Sequence, residues 1–249
     1  MTRRRARPQL YCEMMTIMCR FRGVPERRIA ASLTTTAMSR LCRRLLAALA
    51  AFCGSLVCIP SVAVAGEPVA EHPTIVTDAI DALGHYQRWM TDTDPWAYLD
   101  WVAARDHVAH TAAAALGLDE TAMLDAWVAS PIDGQVTVIA AITQLGVPYR
   151  RYARAEGEAF DCSGLTSWAW EQAGTTLERS SRYQYRAAER IDAEEATVGD
   201  LVYYPGHIML YLGIGDAVVH APTQGRTVEL QVLSERSARR ITFADPTPE

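Results

Sequence analysis

The chain has 249 residues, of which 49% are hydrophobic and 21% are charged, a composition that fits a globular protein with an apolar core. The charge is uneven, because residues 66–249 contain 13 arginines and 27 acidic residues, a net charge of −14. A nucleic-acid partner requires clustered cations against its phosphates, so this acidic segment argues against nucleic-acid binding.

The N-terminal part has the pattern of a secretory signal peptide. Three arginines within residues 40–44 precede an apolar run over residues 45–59, and small residues follow up to Ala65. The run is too short to cross a bilayer comfortably. We therefore predict a signal peptide over residues 38–65, cleaved near Ala65, and a secreted protein with no stable membrane span. A retained membrane anchor is the alternative.

Residues 1–37 precede this signal and show no apolar periodicity. Met38 stands directly before the basic segment, so we interpret residues 1–37 as an extension from an upstream start codon. A long basic n-region is the competing interpretation.

The cysteines fall into two groups on either side of the predicted cleavage site. Five of the six precede it, and Cys162 is the one that the exported segment would keep, which excludes a disulfide within that segment. A single cysteine outside the cytosol is exposed to oxidation. Cys162 is therefore either a reactive thiol or a buried residue that acts as a small hydrophobe.

Residues 66–131 are predicted to form a linker followed by a small all-helical region. Apolar residues recur at helical spacing from Ile75 to Met90, a second helix stops at Gly117, and a third begins at Asp119.

Two histidines of this region, His107 and His110, have a spacing that could suit a metal ion. No cysteine or carboxylate cluster accompanies them in the sequence, and the HExxH pattern is absent. We predict solvated histidines on a helix face, with no metal and no cofactor.

Residues 132–249 form the second predicted domain, after a boundary over residues 131–134. Helices are expected over residues 136–146 and 162–173, with a helix or loop over 180–190. Four short strands separated by tight turns follow, over residues 201–204, 207–212, 217–220 and 228–232. Consecutive short strands indicate an antiparallel meander, and helices followed by such a sheet indicate an α+β fold.

The position of Cys162 favours a nucleophile. A thiol attacks as the thiolate, and a helix N-terminus or a nearby imidazole lowers its pKa. Asp161 occupies the N-cap position of the helix that starts at Cys162. The backbone N–H groups of that first turn would also stabilise a nearby oxyanion.

Two histidines of the C-terminal domain can serve such a thiol. His207 begins one predicted strand and His220 ends the next, so the hairpin would make them cross-strand neighbours. In that arrangement one imidazole acts as the base and the other orients it. A surface strand residue is the alternative for either histidine alone.

The segments "FDCSGLTSWAWEQAG", "GDLVYYPGHIMLYLG" and "VVHAP" resemble the NlpC family of papain-like bacterial cell-wall hydrolases. The segments "QLGVPYR" and "RSSRYQ" are also similar, and the resemblance extends over roughly residues 135–241 in the family's order. It implies a papain-like catalytic domain with helices packed on an antiparallel sheet.

The resemblance also implies roles for individual residues. Cys162 matches the nucleophile, His207 the base and His220 the orienting residue. Tyr149 resembles the family's tyrosine that faces the cysteine. The residues expected to line or border the substrate cleft are Asp161, Ser163, Arg179, Ser181 and Gln184.

Three departures from the family's pattern concern the surroundings of the site. The charged residues 150–158 replace a Gly-Gly turn, Glu178 stands where a proline is usual, and residues 208–210 replace a Val-Gly-Ile run. The changed loop over residues 150–158 bears on substrate preference more than on catalysis, because none of the three departures falls on Cys162, His207 or His220.

The implied substrate is the peptide stem of peptidoglycan, cut between the γ-carboxyl of D-glutamate and a diamino acid by a cell-wall associated D,L-endopeptidase. Amidase or acyltransferase chemistry on the same fold, or a catalytically silent wall-associated module, are the alternatives.

For the helical region we expect intramolecular docking on the catalytic domain, which would bury Trp96, Trp101 and Trp127 and limit access to the cleft. A spacer or a partner-docking element are the other interpretations.

Overall fold

The computed structural model describes residues 72–91, 94 and 96–247. The predicted upstream extension, the signal peptide and most of the linker lie outside these residues. Within the described ranges, no helix combines the length and the apolar character needed to cross a membrane.

Three helices form the N-terminal part, in the predicted order: α1 (Pro73–Thr91), α2 (Ala97–Leu116) and α3 (Glu120–Ala129). Gly117 ends α2 in the left-handed conformation, at φ 66°, which a residue without a Cβ adopts readily. Asp119 caps α3 by accepting a hydrogen bond from the backbone N–H of Ala122 at 2.8 Å. The sequence signals for both boundaries are thus confirmed.

The remaining helices are α4 (Ile132–Ile142), α5 (Cys162–Gln172), α6 (Ser181–Ala187) and α7 (Glu235–Ala238). Helix α4 begins four residues earlier than predicted, because residues 131–134 form its start rather than an open boundary. Pro131 suits a helix start, since its ring fixes φ and it lacks an N–H. Gly134 packs so closely that a Cβ there would lie 2.0 Å from the carbonyl oxygen of Val198.

Among residues 72–247, as far as the structure describes them, eight strands form two antiparallel sheets. The smaller joins β1 (Arg154–Ala155) and β2 (Ala159–Phe160). The larger has the order β3-β8-β4-β5-β6-β7. Its strands are β3 (Glu189–Ile191), β4 (Leu201–Tyr204), β5 (His207–Tyr211), β6 (Ala217–His220), β7 (Glu229–Val232) and β8 (Thr242–Asp245). The predicted four-strand meander is confirmed, whereas β3 and β8 were not predicted.

One continuous core joins the N-terminal helices to the sheet. It contains the fully buried Trp101 and Trp127, together with Ile208 and Leu210 of β5. The indole Nε1 of Trp127 donates to the carbonyl oxygen of Leu212 at 3.0 Å. Trp96 departs from expectation, because 63% of it is exposed.

A second, smaller cluster covers the opposite face of the sheet, around Met209, Tyr211, Val218 and Phe243. Alternate residues of β5 therefore face opposite clusters, as the two-residue period of a strand requires. The architecture is the predicted α+β class, with an N-terminal helical region before helices packed on an antiparallel sheet.

Candidate active site

Cys162 is the first residue of α5 and is half-buried. Asp161 caps this helix in an extended conformation, and its Oδ1 accepts a hydrogen bond from the backbone N–H of Gly164 at 2.6 Å. The backbone N–H of Ile208 on β5 hydrogen-bonds the sulfur. This contact brings the start of α5 to the start of β5, beside His207.

The ionisation of Cys162 differs from the expectation drawn from its helix position. Burial raises the pKa of the thiol, and the negative charge of Asp161 raises it further. Hydrogen bonds from the backbone N–H groups of Ile208, Ser163 and Cys162 lower it, but burial has the larger effect. The resting sulfur is therefore a thiol, and attack requires a base.

The two histidines meet as the hairpin pattern predicts. Nε2 of His207 lies 2.9 Å from Nδ1 of His220. The register of β5 and β6 pairs Leu210 with Val219, so His220 lies opposite Met209. His207 is two residues before Met209 on β5 and is therefore the diagonal neighbour of His220. Diagonal residues of neighbouring strands face the same side of a sheet and lie within reach of aromatic rings.

His207 is poised as a neutral base. Burial, and to a smaller extent the neighbouring His220, together lower the pKa of His207 to about 3. Its Nε2 is engaged by His220. With Nε2 occupied by this contact, Nδ1 is the ring nitrogen of His207 that remains to accept a proton.

Glu229 and Arg226 extend this chain of contacts and were not predicted from the sequence. Glu229 stands opposite His220 in the pairing of β6 with β7. Its Oε1 lies 3.3 Å from Nε2 of His220, an ion-pair distance at which the angle falls outside hydrogen-bond geometry. The same oxygen accepts a hydrogen bond from the guanidinium of Arg226. Only the β6–β7 register reveals Glu229, and no sequence motif marks it.

Tyr149 lies beside the thiol, as the resemblance implied. Burial raises the pKa of its hydroxyl, and the nearby Cys162 and Asp161 raise it further. Its backbone N–H donates to the carbonyl oxygen of Arg226 at 2.9 Å. The backbone of Tyr149 is thus joined to the segment that leads into β7.

Three of the predicted substrate-pocket residues form one hydrogen-bonded group. The guanidinium of Arg179 contacts Oδ1 and Oδ2 of Asp161 at 3.1 and 2.9 Å, and Oγ of Ser163 at 3.0 Å. It also donates to the carbonyl oxygen of Ala153 at 3.2 Å. Asp161 is buried whereas Arg179 is 46% exposed, so the group reaches from the nucleophile's helix to the surface.

Ser181 and Gln184 have other places. Ser181 begins α6, and within the described residues its side chain makes no hydrogen bond to the Asp161–Ser163–Arg179 group. Gln184 is buried, and its amide nitrogen donates to the carbonyl oxygens of Ser163 and Glu178 at 2.9 and 2.8 Å. Gln184 therefore links α6 to α5, the helix that begins at Cys162.

The family comparison agrees with this geometry. Residues 146–245 match the model of the NlpC/P60 family. This segment is an NlpC/P60 domain. It contains every described strand of both sheets and helix α5, which begins at Cys162, while α1 to α4 precede it. The resemblance predicted over residues 135–241 is thereby confirmed for the matched segment.

Curated proteins with similar sequences carry peptidase names. An endopeptidase of Corynebacterium glutamicum, named as probable, is 37% identical over 124 residues, which are 49% of this chain and 57% of that protein. The bifunctional muramidase/DL-endopeptidase CwlT of Bacillus subtilis is 37% identical over 83 residues, 30% of this chain and 25% of that protein.

A third relative is the gamma-D-glutamyl-L-lysine dipeptidyl-peptidase of Bacillus cereus, 34% identical over 98 residues. The match covers 36% of this chain and 29% of that protein. The chain thus spans a little over half the length of the first of these relatives and less than a third of the other two.

Proposed function

We propose that this protein is a secreted cysteine peptidase that hydrolyses the peptide stems of peptidoglycan. One arrangement carries the proposal. The thiol of Cys162 accepts a hydrogen bond from the residue that follows His207, and His207 is hydrogen-bonded to His220. A nucleophile, a base and a group that orients the base are the parts that covalent acyl transfer requires.

The chemical step follows from the resting protonation states. As the sulfur attacks the carbonyl carbon of the substrate, Nδ1 of His207 takes the thiol proton. The tetrahedral oxyanion faces the first turn of α5 and the hydroxyl of Tyr149, both of which donate hydrogen bonds. Collapse breaks the C–N bond, the imidazolium of His207 protonates the leaving amine, and a thioester on Cys162 remains.

Water completes the cycle. His207 accepts a proton from a water molecule that attacks the thioester, and the thiol returns as the second product acid leaves. Transfer to an amine instead of water would make the same intermediate serve an acyltransferase, which is the first alternative.

The substrate class rests on the relatives and on the polar group beside Cys162. CwlT is named as a DL-endopeptidase, and the Bacillus cereus relative is named for the γ-D-glutamyl-L-lysine bond. We infer the corresponding bond here, from the γ-carboxyl of D-glutamate to a diamino acid. Asp161, Ser163 and Arg179 would line the primary pocket, with Ser181 at its border.

Secretion and wall association complete the proposal and rest on the signal-peptide pattern over residues 38–65. Protein recovered from a culture supernatant should begin near Gly66. N-terminal sequencing tests this, and a secreted form that retains residues 1–37 would contradict it.

Mass spectrometry of peptidoglycan fragments digested by the purified protein tests the reaction. We expect stem peptides cleaved after D-glutamate, with a new free amine on the diamino acid. Release of whole stems from the glycan would indicate an amidase, transfer products with added amine would indicate an acyltransferase, and unchanged fragments would indicate a silent module.

A further inference from the structure

We propose that Glu229 is a positioning residue, which acts through His220 to hold His207 in the tautomer that accepts the thiol proton. This inference rests on the proposed function and extends it by a fourth residue. Glu229 touches neither the thiol nor, in this account, the substrate, so any effect on catalysis must pass through His220.

The placement of Glu229 is fixed by the sheet. β6 and β7 pair antiparallel, with His220 directly opposite Glu229, so both side chains leave the same face of the sheet. Both side chains are almost fully buried, 5% exposed for His220 and 3% for Glu229. The imidazole of His220 and the carboxylate of Glu229 are therefore shielded from bulk water and face each other instead.

The contacts of His220 decide the tautomer. Nε2 of His220 lies 3.3 Å from the carboxylate oxygen of Glu229, within ion-pair distance but without a hydrogen bond, and a proton on Nε2 is the arrangement that this negative charge favours. Nδ1 of a neutral His220 is then an acceptor. Because Nδ1 lies 2.9 Å from Nε2 of His207, that nitrogen must carry the proton of His207. Nδ1 of His207 is left with a lone pair.

Arg226 places a positive charge against the Glu229 carboxylate, and its guanidinium can only donate hydrogen bonds to that carboxylate. Arg226 is 39% exposed and bonds the same Oε1 that faces His220. When His207 becomes an imidazolium during attack, the negative charge two rings away also favours that state.

A structural ion pair alone would not explain this burial. An exposed arginine–glutamate pair contributes about 0–1 kcal/mol, and burying one of its members costs desolvation. Glu229 is nevertheless buried, and its Oε1 lies between Arg226 and His220. The contact with the imidazole of His220 therefore helps to keep the Glu229 side chain buried.

A double-mutant cycle tests whether Glu229 acts through His220. In Glu229→Gln the neutral amide can turn its NH₂ toward Nε2 and favour the wrong tautomer of His220. We expect kcat to fall about 10- to 100-fold, as for other residues that orient a functional imidazole, with KM changed less than about twofold. In a His220→Gln background the same change should alter kcat less than about twofold, because the link is already broken.

Asp200→Asn is the matched control, since Asp200 is a buried carboxylate at the opposite end of β5, next to the backbone of Tyr211. Its kcat should remain within about twofold of the starting protein, in line with a site outside the relay. Equal losses from Glu229→Gln in both backgrounds, or no loss in either, would overturn the inference.

Two further measurements need no peptidoglycan, so they separate failure of this inference from failure of the proposed function. ¹⁵N NMR of the full chain should show His220 protonated at Nε2, and an Nδ1-protonated tautomer would overturn the inference. Alkylation of Cys162 by iodoacetamide, followed on its own peptide by mass spectrometry, should slow in Glu229→Gln and not in Asp200→Asn. An unchanged rate in Glu229→Gln would also count against it.

Discussion

Nε2 of His207 lies 2.9 Å from Nδ1 of His220, although the two residues are offset diagonally by two positions across β5 and β6. This contact leaves a single ring nitrogen of His207 available to the thiol. Under the proposed function, His207 therefore exchanges a proton with Cys162, and His220 orients His207.

The first prediction concerns this division. His207→Ala should lower kcat/KM by roughly 10⁴-fold, close to the loss expected for removing a nucleophile, because the residues of a catalytic triad act as a unit. His220→Gln should cost about 10- to 100-fold, since an amide can partly replace the orienting ring. Steady-state kinetics on a soluble stem peptide measures both. A larger loss from His220→Gln than from His207→Ala would exchange the two roles.

The second prediction is the pH dependence of kcat/KM, which reports groups of the free enzyme. Because the pKa of His207 is lowered to about 3, the base is neutral across the whole range above that value. The ordinary pKa of histidine is about 6.5. The plot of kcat/KM against pH should show no fall near this pH, and activity should persist below it. Rates between about pH 4 and pH 8 test this, and a fall with a midpoint near 6.5 would contradict a neutral resting base.

The third prediction concerns the free energy of unfolding, which the lowered pKa of His207 makes dependent on pH. The folded state binds fewer protons at His207 than the unfolded state between pH 6.5 and about 3, so His207 lowers the free energy of unfolding as pH falls through that window. His207→Gln should remove this contribution and lose less stability on acidification. Urea titrations at several pH values measure it, and parallel curves for both proteins would contradict the shift.

Asp200 must be considered in that comparison, because it acts in the opposite direction. Its pKa is raised to about 6, chiefly by burial, so it contributes stability that is lost as pH rises from 3.8 toward 6. Asp200 is present in both proteins, and its contribution cancels when they are compared.

Local patterns in the sequence predicted the parts of the fold that depend on neighbouring residues. Capping by Asp119 and Asp161, the stop at Gly117 and the alternation in β4 to β7 all act over a few residues. The meeting of His207 with His220 followed from a tight turn, whose geometry is also local.

The parts that sequence patterns missed depend on distant contacts. β8 pairs with β4 some forty residues earlier in the chain, and nothing within its four residues marks that partner. The early start of α4 depends on Gly134 meeting the backbone of Val198. The raised pKa of Cys162 results from burial, and Glu229 joins the site only through the register of β6 and β7.

The fourth prediction concerns the N-terminal helices. Trp127 of α3 is fully buried and bonds Leu212, which follows β5 at the end remote from His207. Trp127→Ala should lower the free energy of unfolding by about 3–5 kcal/mol, through the cavity and the lost hydrogen bond. The exposed Trp96 is the matched control, and Trp96→Ala should change stability by less than about 0.5 kcal/mol. Chemical denaturation of both variants measures this.

The same contact bears on the hypothesis that the helical region limits access to the cleft. A contact at the remote end of the hairpin supports the core rather than covering His207 and His220. We therefore expect Trp127→Phe, which retains the ring but not the N–H, to lower the melting temperature while kcat remains within about twofold. A rise in kcat on loosening this contact would instead support a cap over the cleft.

Cys162→Ala and Cys162→Ser should be compared with the unaltered protein in the turnover of peptidoglycan fragments, with the melting temperature measured on the same samples. We expect neither variant to release cleaved stem peptides and both to keep a folded state of similar stability, because the thiol is the group that forms the acyl-enzyme. Digestion by either variant at a rate near that of the unaltered protein would contradict it.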